Sequence, residues 1–246
     1  RRRERFYSAQ RLGASDSAST CISHLMKHAL VLGLALFAAA CGEKRDLPVA
    51  EIDCRSGLYL SADGAPMALS PLDDDGAYRW RRLDGATGAL TPDGERWRNT
   101  IGWTDEADGL VADLGTCDSK QIFFGAPGAM DTYARAPLEV TDIKFEHDGL
   151  TFSGRLIWPA NTPRATLAVH VHGSERWSAT RNAAVPYLLA AQGIASFVYD
   201  KRGTGQSEGR YTQDFHVLAS DAIAALAAAR SLAGDKIDRA GYIGGS

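Results

Sequence analysis

Three short apolar runs in the C-terminal part of the chain alternate with two segments of helical periodicity. The apolar runs span residues 166–172, 194–199 and 239–244, and the helical segments span residues 185–192 and 215–232. Pro186 stands near the start of the first helical segment and Gly193 just past its end, the usual punctuation of a helix. Strands that alternate with helices over short connections form a parallel sheet with right-handed crossovers. The pattern therefore predicts an α/β fold with a parallel sheet and crossover helices.

Each predicted strand is followed by a turn that carries polar residues. The first turn is His172-Gly173-Ser174, and the third is Gly244-Gly245-Ser246. The turn between them has the pattern D-x-R-G-x-G-x-S, with fixed positions at Asp200, Arg202, Gly203, Gly205 and Ser207. A G-x-S sequence directly after a buried strand is the first half of a G-x-S-x-G nucleophile elbow, a sharp strand-to-helix turn. A G-G-S sequence alone is more often an ordinary loop, so the order of the three turns is what marks Ser246 as a candidate nucleophile.

The three turns in this order resemble those of the α/β-hydrolase superfamily of serine hydrolases, over roughly residues 138–246. The nearest resemblance is to exported bacterial carboxylesterases with a small N-terminal β domain, relatives of the dienelactone hydrolases. It implies that Ser246 is the nucleophile and that the backbone N–H of Ser174 stabilises the oxyanion. It also implies that His172, Gly173 and the D-x-R-G-x-G-x-S residues shape the loops beside the active site. The triad acid and His follow the nucleophile in this superfamily, so both are expected beyond residue 246.

The function implied by the resemblance is hydrolysis of carboxylic esters through an acyl-enzyme, on a small-molecule ester or acyl substrate and without a cofactor. A serine peptidase or a thioesterase of the same fold is the first alternative. A binding lipoprotein with a catalytically dead hydrolase domain is an alternative of another class. We expect residues 137–246 to be a hydrolase domain truncated after the nucleophile strand. Such a fragment is expected to be inactive, because it lacks the triad acid and His.

Other kinds of site are less well supported by the sequence. His170 and His172 alternate on one strand and could form half of a zinc site, but no further ligand follows nearby, so no metal is expected. The glycines of the 200–209 loop do not complete a dinucleotide-binding G-x-G-x-x-G, since Glu208 replaces the third glycine. The formal net charge is −3 and no basic stripe is interleaved with aromatic residues, so nucleic acid is not an expected partner.

An export signal is predicted near the N-terminus. Met26-Lys27-His28 precedes an apolar stretch that is too short to span a membrane and ends in Ala38-Ala39-Ala40-Cys41. Small residues before a cysteine resemble a bacterial lipobox, which implies that Cys41 carries lipid; a plain signal-peptidase site is the alternative. We therefore expect residues 1–25 to precede the true start, residues 26–41 to be a lipoprotein-type signal peptide and residues 42–50 to be a linker. The protein is expected to be an exported cell-envelope lipoprotein, in the outer membrane or periplasm.

Residues 51–136 are predicted to form a small antiparallel β domain. Asp-Gly pairs, which favour tight hairpin turns, recur at residues 63–64, 75–76, 84–85, 93–94 and 108–109. The aromatic residues of this region form either its core or a binding face, and a small domain favours the core. Cys54 and Cys117 are predicted to form a disulfide because the compartment is expected to be oxidising, the alternative being two free thiols. Residues 138–158 are expected to form a hairpin around Asp148-Gly149.

Overall fold

The computed structural model describes residues 54–72 and 76–245, all within one compact unit. These residues form thirteen β-strands, three α-helices and one 3-10 helix. The predicted signal peptide, the predicted lipidation site Cys41 and the predicted nucleophile Ser246 lie outside the described residues.

The first eight strands form a closed antiparallel barrel. They are β1 (Gly57–Ser61), β2 (Pro66–Pro71), β3 (Tyr78–Arg82), β4 (Thr87–Asp93), β5 (Arg96–Ile101), β6 (Ala107–Asp113), β7 (Gln121–Ala126) and β8 (Ala129–Arg135). Each strand pairs with the next along the chain, and β1 closes the ring against β8, where Tyr59 lies opposite Arg135. Closure leaves this sheet without an edge strand.

Short turns connect most of the barrel strands, and one predicted turn is wrong. Asp-Gly pairs make the turns between β1 and β2, β3 and β4, and β4 and β5. Asp108-Gly109 instead lies inside β6. Gly109 has φ +81°, and the β5–β6 register is irregular beside it, as expected where a glycine with positive φ makes a bulge. Asp108 supports the bulge by accepting hydrogen bonds from Leu110 N at 2.9 Å and Asn99 Nδ2 at 2.8 Å.

The interior of the barrel is filled by large apolar side chains that alternate along the strands. The buried aromatic residues of this core are Tyr59, Tyr78, Trp80, Trp97, Phe124 and Tyr133. The Trp80 indole N–H donates to Asn99 Oδ1 at 2.7 Å, so its polar atom is satisfied inside the core. Trp103, in contrast, is 68% exposed on the outside of the barrel. The core role favoured by the sequence is therefore right for Tyr59, Tyr78, Trp80 and Trp97, but not for Trp103.

The predicted disulfide between Cys54 and Cys117 is confirmed. Their Cα atoms are 5.4 Å apart, and the bridge joins residues separated by 63 positions. Arg135 Nη1 donates to the carbonyl oxygen of Cys54 at 2.8 Å, which ties the start of the barrel to its last strand. A bridge over a separation of this size stabilises a fold by about 2–4 kcal/mol, largely by restricting the unfolded chain.

The remaining strands form a five-stranded mixed sheet with the order β13-β11-β12-β10-β9. They are β9 (Leu138–His147), β10 (Leu150–Pro159), β11 (Ala165–Val171), β12 (Ala195–Tyr199) and β13 (Ile237–Gly244). β11 lies parallel to both β12 and β13, whereas β10 pairs antiparallel with β12 and with β9. The hairpin predicted around Asp148-Gly149 is confirmed by the β9–β10 pairing.

Three helices accompany this sheet: α1 (Ala179–Asn182), α2 (Val185–Ala190) and α3 (Phe215–Ala233), with the 3-10 helix Gly234–Lys236 after α3. Asp214 caps the start of α3, where its side chain accepts hydrogen bonds from His216 N and Val217 N. The buried face of α3 carries small residues, which allow the helix to lie close to the sheet: Ala222, Ala225, Ala229 and Ala233.

The predicted fold class, an α/β fold with a parallel sheet and crossover helices, is wrong for the described chain. Most of its strands are antiparallel: eight form the closed barrel, and β9 and β10 pair antiparallel in the second sheet. The physical reason is connection length, since short turns join successive antiparallel strands, whereas parallel pairs need long crossovers. Among the described residues, parallel pairing is confined to β12, β11 and β13.

The barrel and the mixed sheet share an apolar cluster. Leu58 and Ala68 of the barrel belong to the same cluster as Ile157 of β10 and Tyr187 and Leu188 of α2. Hydrogen bonds reinforce this contact through Asn182 at the end of α1. Its carbonyl oxygen accepts from Ser70 Oγ, and its Nδ2 donates to the carbonyl oxygen of Pro71, both at 2.9 Å.

Candidate functional site

The three predicted turns meet at one edge of the mixed sheet. They follow β11, β12 and β13, whose carboxyl ends lie together because the strands are parallel. Gly245 N donates to the carbonyl oxygen of Val171 at 3.4 Å, so the residue before Ser246 lies against the end of β11. The structure thus brings the first and third turns into contact.

Asp200 is the centre of the turn after β12. It is completely buried, and its carboxylate accepts hydrogen bonds from Ser178 Oγ, from Thr180 N and Oγ1, and from Gln206 N, at 2.9–3.2 Å. Gly205 has φ +51° and lies so close that a Cβ there would overlap the Asp200 carboxylate. A glycine is therefore required at position 205.

Ser207 and Arg202 fasten the same turn to its neighbours. Ser207 Oγ donates to the carbonyl oxygen of Asp200 at 2.7 Å and accepts from Ser153 N at 2.9 Å. Arg202 makes two parallel hydrogen bonds to the buried carboxylate of Asp221 on α3, at 2.8 and 2.6 Å. Gly203 packs against the backbone of Tyr211, where a Cβ would collide. These contacts hold the turn in place. They indicate a structural role for Ser207, Arg202 and Gly203, and not a catalytic one.

The turn after β11 is held by two residues that the sequence analysis did not single out, Lys201 and Tyr211. Lys201 is buried, and its Nζ donates to the carbonyl oxygen of Gly173. The Tyr211 hydroxyl donates to the carbonyl oxygen of Ser174 at 2.7 Å. With both carbonyls fixed, the peptide N–H of Ser174 is oriented, and it donates to no acceptor among the described residues. The position of Lys201, directly after Asp200 of the D-x-R-G-x-G-x-S motif, was the sequence signal that could have identified it.

His172 supports this turn as a neutral imidazole. Its Nε2 accepts a hydrogen bond from Lys201 N at 3.2 Å, so the ring proton is on Nδ1. Burial, together with the positive charge of Lys201, lowers the pKa of His172 to about 4. Burial also lowers the pKa of His170 to about 4, and this ring is hydrogen-bonded with Ser196 Oγ at 3.0 Å. The described residues contain no group of three His, Cys, Asp or Glu side chains arranged for a metal ion.

Because the pKa values of His170 and His172 are lowered, we expect the folded protein to lose stability in mild acid. Their pKa is about 4 in the folded protein and 6.5 in an unfolded chain, so the unfolded state binds protons more readily between those values. The stabilising contribution of the neutral rings is complete above the unfolded pKa and is lost as the pH falls toward the folded one. We expect the urea concentration at the unfolding midpoint to decrease as the pH is lowered from about 7 to about 4.5.

A matched variant isolates the contribution of His172. His172→Gln keeps a side-chain acceptor for Lys201 N but cannot titrate, so its midpoint should fall less than that of the wild type over the same interval. An equal fall in both proteins would show that His172 is not responsible. Carboxylates titrate in both proteins alike and cancel in the comparison.

A cavity of about 670 Å³ opens beside the turn after β11 and the end of β13. His172, Gly173 and Ser174 form one side, and the other side is an apolar surface of α3 that includes Phe215, Leu218 and Ile223. The volume suits a small organic molecule rather than a folded partner. The apolar wall provides room for a hydrocarbon group next to the oriented N–H of Ser174.

No protein-family model and no curated protein sequence matches the chain. Solved structures that resemble it include the esterase Pf2001 of Pyrococcus furiosus (24% identity over 44% of this chain and 42% of that chain, TM-score 0.36). They also include Est1E of Butyrivibrio proteoclasticus with ferulic acid bound (22% identity, 42% and 42%, TM-score 0.38) and the α/β-hydrolase GrgF of a Penicillium species (23%, 44% and 37%, 0.38). The chain spans less than half the length of each of these chains. These three structural neighbours are two esterases and an α/β-hydrolase, each of low identity and partial overlap.

Proposed function

We propose that the full-length protein is a serine hydrolase that cleaves carboxylic esters through an acyl-enzyme, with Ser246 as the nucleophile. The observation that carries the proposal is the N–H of Ser174, which is oriented by its neighbours and donates to no acceptor within residues 54–72 and 76–245. It lies beside the end of β13, which Gly245 directly follows. A backbone donor held at a fixed position stabilises the oxyanion of acyl transfer, and it acts without reorganisation during the reaction.

The proposed reaction proceeds in two steps. Ser246 Oγ attacks the carbonyl carbon of the ester while a His base, supplied by residues beyond 246, takes the hydroxyl proton. The carbonyl oxygen becomes an oxyanion and accepts a hydrogen bond from the backbone N–H of Ser174. The C–O bond to the alcohol then breaks, and the alcohol leaves with the proton from the His. Water, activated by the same base, hydrolyses the acyl-enzyme to give the carboxylic acid and free serine.

Lys201 is proposed as a positioning residue for the oxyanion. Its Nζ fixes the carbonyl of Gly173, in the peptide unit whose N–H belongs to Ser174. Its charge also lies at the wall of the cavity, where a positive potential favours a developing negative charge. Tyr211 shares the positioning role through the carbonyl of Ser174.

The substrate is proposed to be a small ester, because the cavity beside Ser174 is of small-molecule size and has an apolar wall. A peptidase or a thioesterase uses the same nucleophile and oxyanion donor, so the leaving group distinguishes these activities. The binding-lipoprotein alternative needs no nucleophile at all. We further propose export with a lipid anchor at Cys41; the Cys54–Cys117 disulfide supports an oxidising compartment.

Covalent labelling tests the nucleophile. The full-length protein should react with a fluorophosphonate probe, and peptide mass spectrometry should find the adduct on Ser246. Short-chain p-nitrophenyl esters, the matching thioesters and peptide p-nitroanilides are compared in parallel, and the esters should be turned over fastest. An unlabelled Ser246 would refute the serine-hydrolase proposal. Labelling with faster turnover of thioesters or amides would instead favour the thioesterase or peptidase.

A further inference from the structure

A second cavity, of about 360 Å³, lies on the other side of the proposed nucleophile turn. It shares Val171, His172, Gly173, Gly244 and Gly245 with the larger cavity. The opposite wall is the outer face of the barrel, which contributes Arg79, Arg81 and Trp103. We call this second cavity the arginine pocket.

Arg79 is a buried cation with unused hydrogen-bonding capacity. Only 8% of the residue is exposed, and its guanidinium lies 4.0 Å from the ring centroid of Trp103. Its Nη1 donates to the carbonyl oxygen of Gly102, but its buried Nε–H has no hydrogen-bond partner among the residues that the structure describes. Burial, and secondarily the charge of Arg81, lowers the pKa of Arg79, as expected for a cation without a counter-anion.

Arg81 places a second positive charge on the same wall. Strand alternation puts Arg79 and Arg81 on the outer face of β3, and the guanidinium of Arg81 lies 5.1 Å from the ring of Trp103. Within residues 54–72 and 76–245, neither arginine has a carboxylate partner. Two like charges beside one indole ring are unfavourable unless an anion compensates them.

The other titratable groups of the pocket set the charge of the ligand. Glu175 lies across the pocket from the arginines, and its Oε2 is 3.9 Å from His172 Nδ1. This buried oxygen has no hydrogen-bond partner in the described part of the chain. His170 and His172 are neutral near neutral pH because of their lowered pKa values. Among the described residues, two arginines and one glutamate give the pocket one net positive charge. That balance suits a monoanion such as a carboxylate better than a dianion such as a phosphate monoester.

We propose that the arginine pocket binds a carboxylate carried by the acyl part of the substrate, so that the preferred substrates are half-esters of dicarboxylic acids. The inference rests on the proposed function, since it places the ester carbonyl at the turn between the two cavities. The apolar wall of the larger cavity then holds the alcohol part. Arg79 and Arg81 donate charge-assisted hydrogen bonds to the free carboxylate.

Matched esters test the preference for a carboxylate. The full-length protein is given the p-nitrophenyl half-ester of adipic acid and the same compound with its free carboxylate capped as a methyl ester. We expect kcat/KM to be about 10- to 100-fold higher for the anionic ester, the range that a charge-assisted contact supplies. High salt should reduce this ratio if Arg81, the more accessible cation, contributes to it.

Substitutions on one strand test the assignment of the arginines. Arg81→Gln should reduce the anionic-to-neutral ratio about 10-fold, and Arg81→Lys should restore part of it. Arg82→Gln is the matched control, because Arg82 is the next residue on β3, points to the other face and pairs with Asp84. It should leave the ratio and both rates unchanged. A ratio near one in the wild type, or an equal response to Arg81→Gln and Arg82→Gln, would overturn the proposal.

A binding measurement separates this inference from the proposed function. Isothermal titration calorimetry should show that hexanoate binds more tightly than hexanamide, and that Arg81→Gln removes this difference in affinity. This binding preference does not depend on turnover. A protein that shows the preference but hydrolyses no ester would therefore disprove only the serine-hydrolase proposal. Equal binding of hexanoate and hexanamide, or tighter binding of inorganic phosphate than of hexanoate, would disprove the carboxylate pocket.

Discussion

Replacing Ser246 by alanine in the full-length protein is expected to lower kcat for p-nitrophenyl butyrate by roughly 10⁴-fold or more. The alanine removes the atom that forms the acyl-enzyme, so only binding and the oxyanion donor remain to accelerate attack by water. Stopped-flow measurement should also lose the burst of p-nitrophenol that accompanies acylation. This burst provides a second readout that an impurity with esterase activity would not reproduce stoichiometrically.

The matched control for this variant is Ser220→Ala on α3. Ser220 Oγ is hydrogen-bonded with His147 at 2.9 Å, in a contact that is not part of the proposed site. Its replacement should leave kcat unchanged. A Ser246→Ala protein that keeps wild-type turnover would refute the assignment of the nucleophile and, with it, the serine-hydrolase proposal.

The second large effect is expected for stability, from Arg202→Leu. Asp221 is completely buried, and Arg202 supplies two short hydrogen bonds to its carboxylate. Without the guanidinium, a buried charge loses its main partner, so the free energy of unfolding should fall by about 3–5 kcal/mol. Urea unfolding followed by circular dichroism measures this change.

Two further variants distinguish a buried pair from a general effect of arginine replacement. Arg202→Leu combined with Asp221→Leu should recover a large part of the loss, because no uncompensated charge remains. Arg164→Leu removes an exposed ion pair with Asp238 at 2.5 Å and should cost less than about 1 kcal/mol. Equal losses in Arg202→Leu and Arg164→Leu would show that the Arg202–Asp221 pair is not specially coupled.

Local patterns in the sequence predicted much of the second sheet. Residues 215–232 were predicted to be helical from their periodicity and are so in α3, and the hairpin around Asp148-Gly149 followed from its turn residues. The three turns around Gly173, Gly205 and Gly245 were located because glycines mark places where the backbone bends sharply. Such signals are carried by a few neighbouring residues, so a single sequence is enough to detect them.

Contacts between distant residues could not be predicted in this way. Closure of the barrel depends on Tyr59 meeting Arg135, and nothing local to either residue announces that pairing. The antiparallel pairing of β10 with β12 is likewise a contact between residues distant in the sequence, and neither strand alone indicates it. The arginine pocket was also missed, although two arginines that flank Trp80 on one strand indicate charges on the face opposite a buried ring.

The apolar cluster shared by the barrel and the mixed sheet has a consequence for ligand affinity. Leu58 and Ala68 pack with Tyr187 and Leu188, and Asn182 bonds the two parts together. The barrel face with the arginines and the turn after β11 are therefore brought into register when the protein folds. A ligand that spans them does not have to order one wall against the other, so little of its binding free energy is lost to reorganisation. Leu188 does not line the pocket. Loosening the junction with Leu188→Ala is therefore expected to weaken binding through conformational entropy, although every side chain that lines the pocket is unchanged.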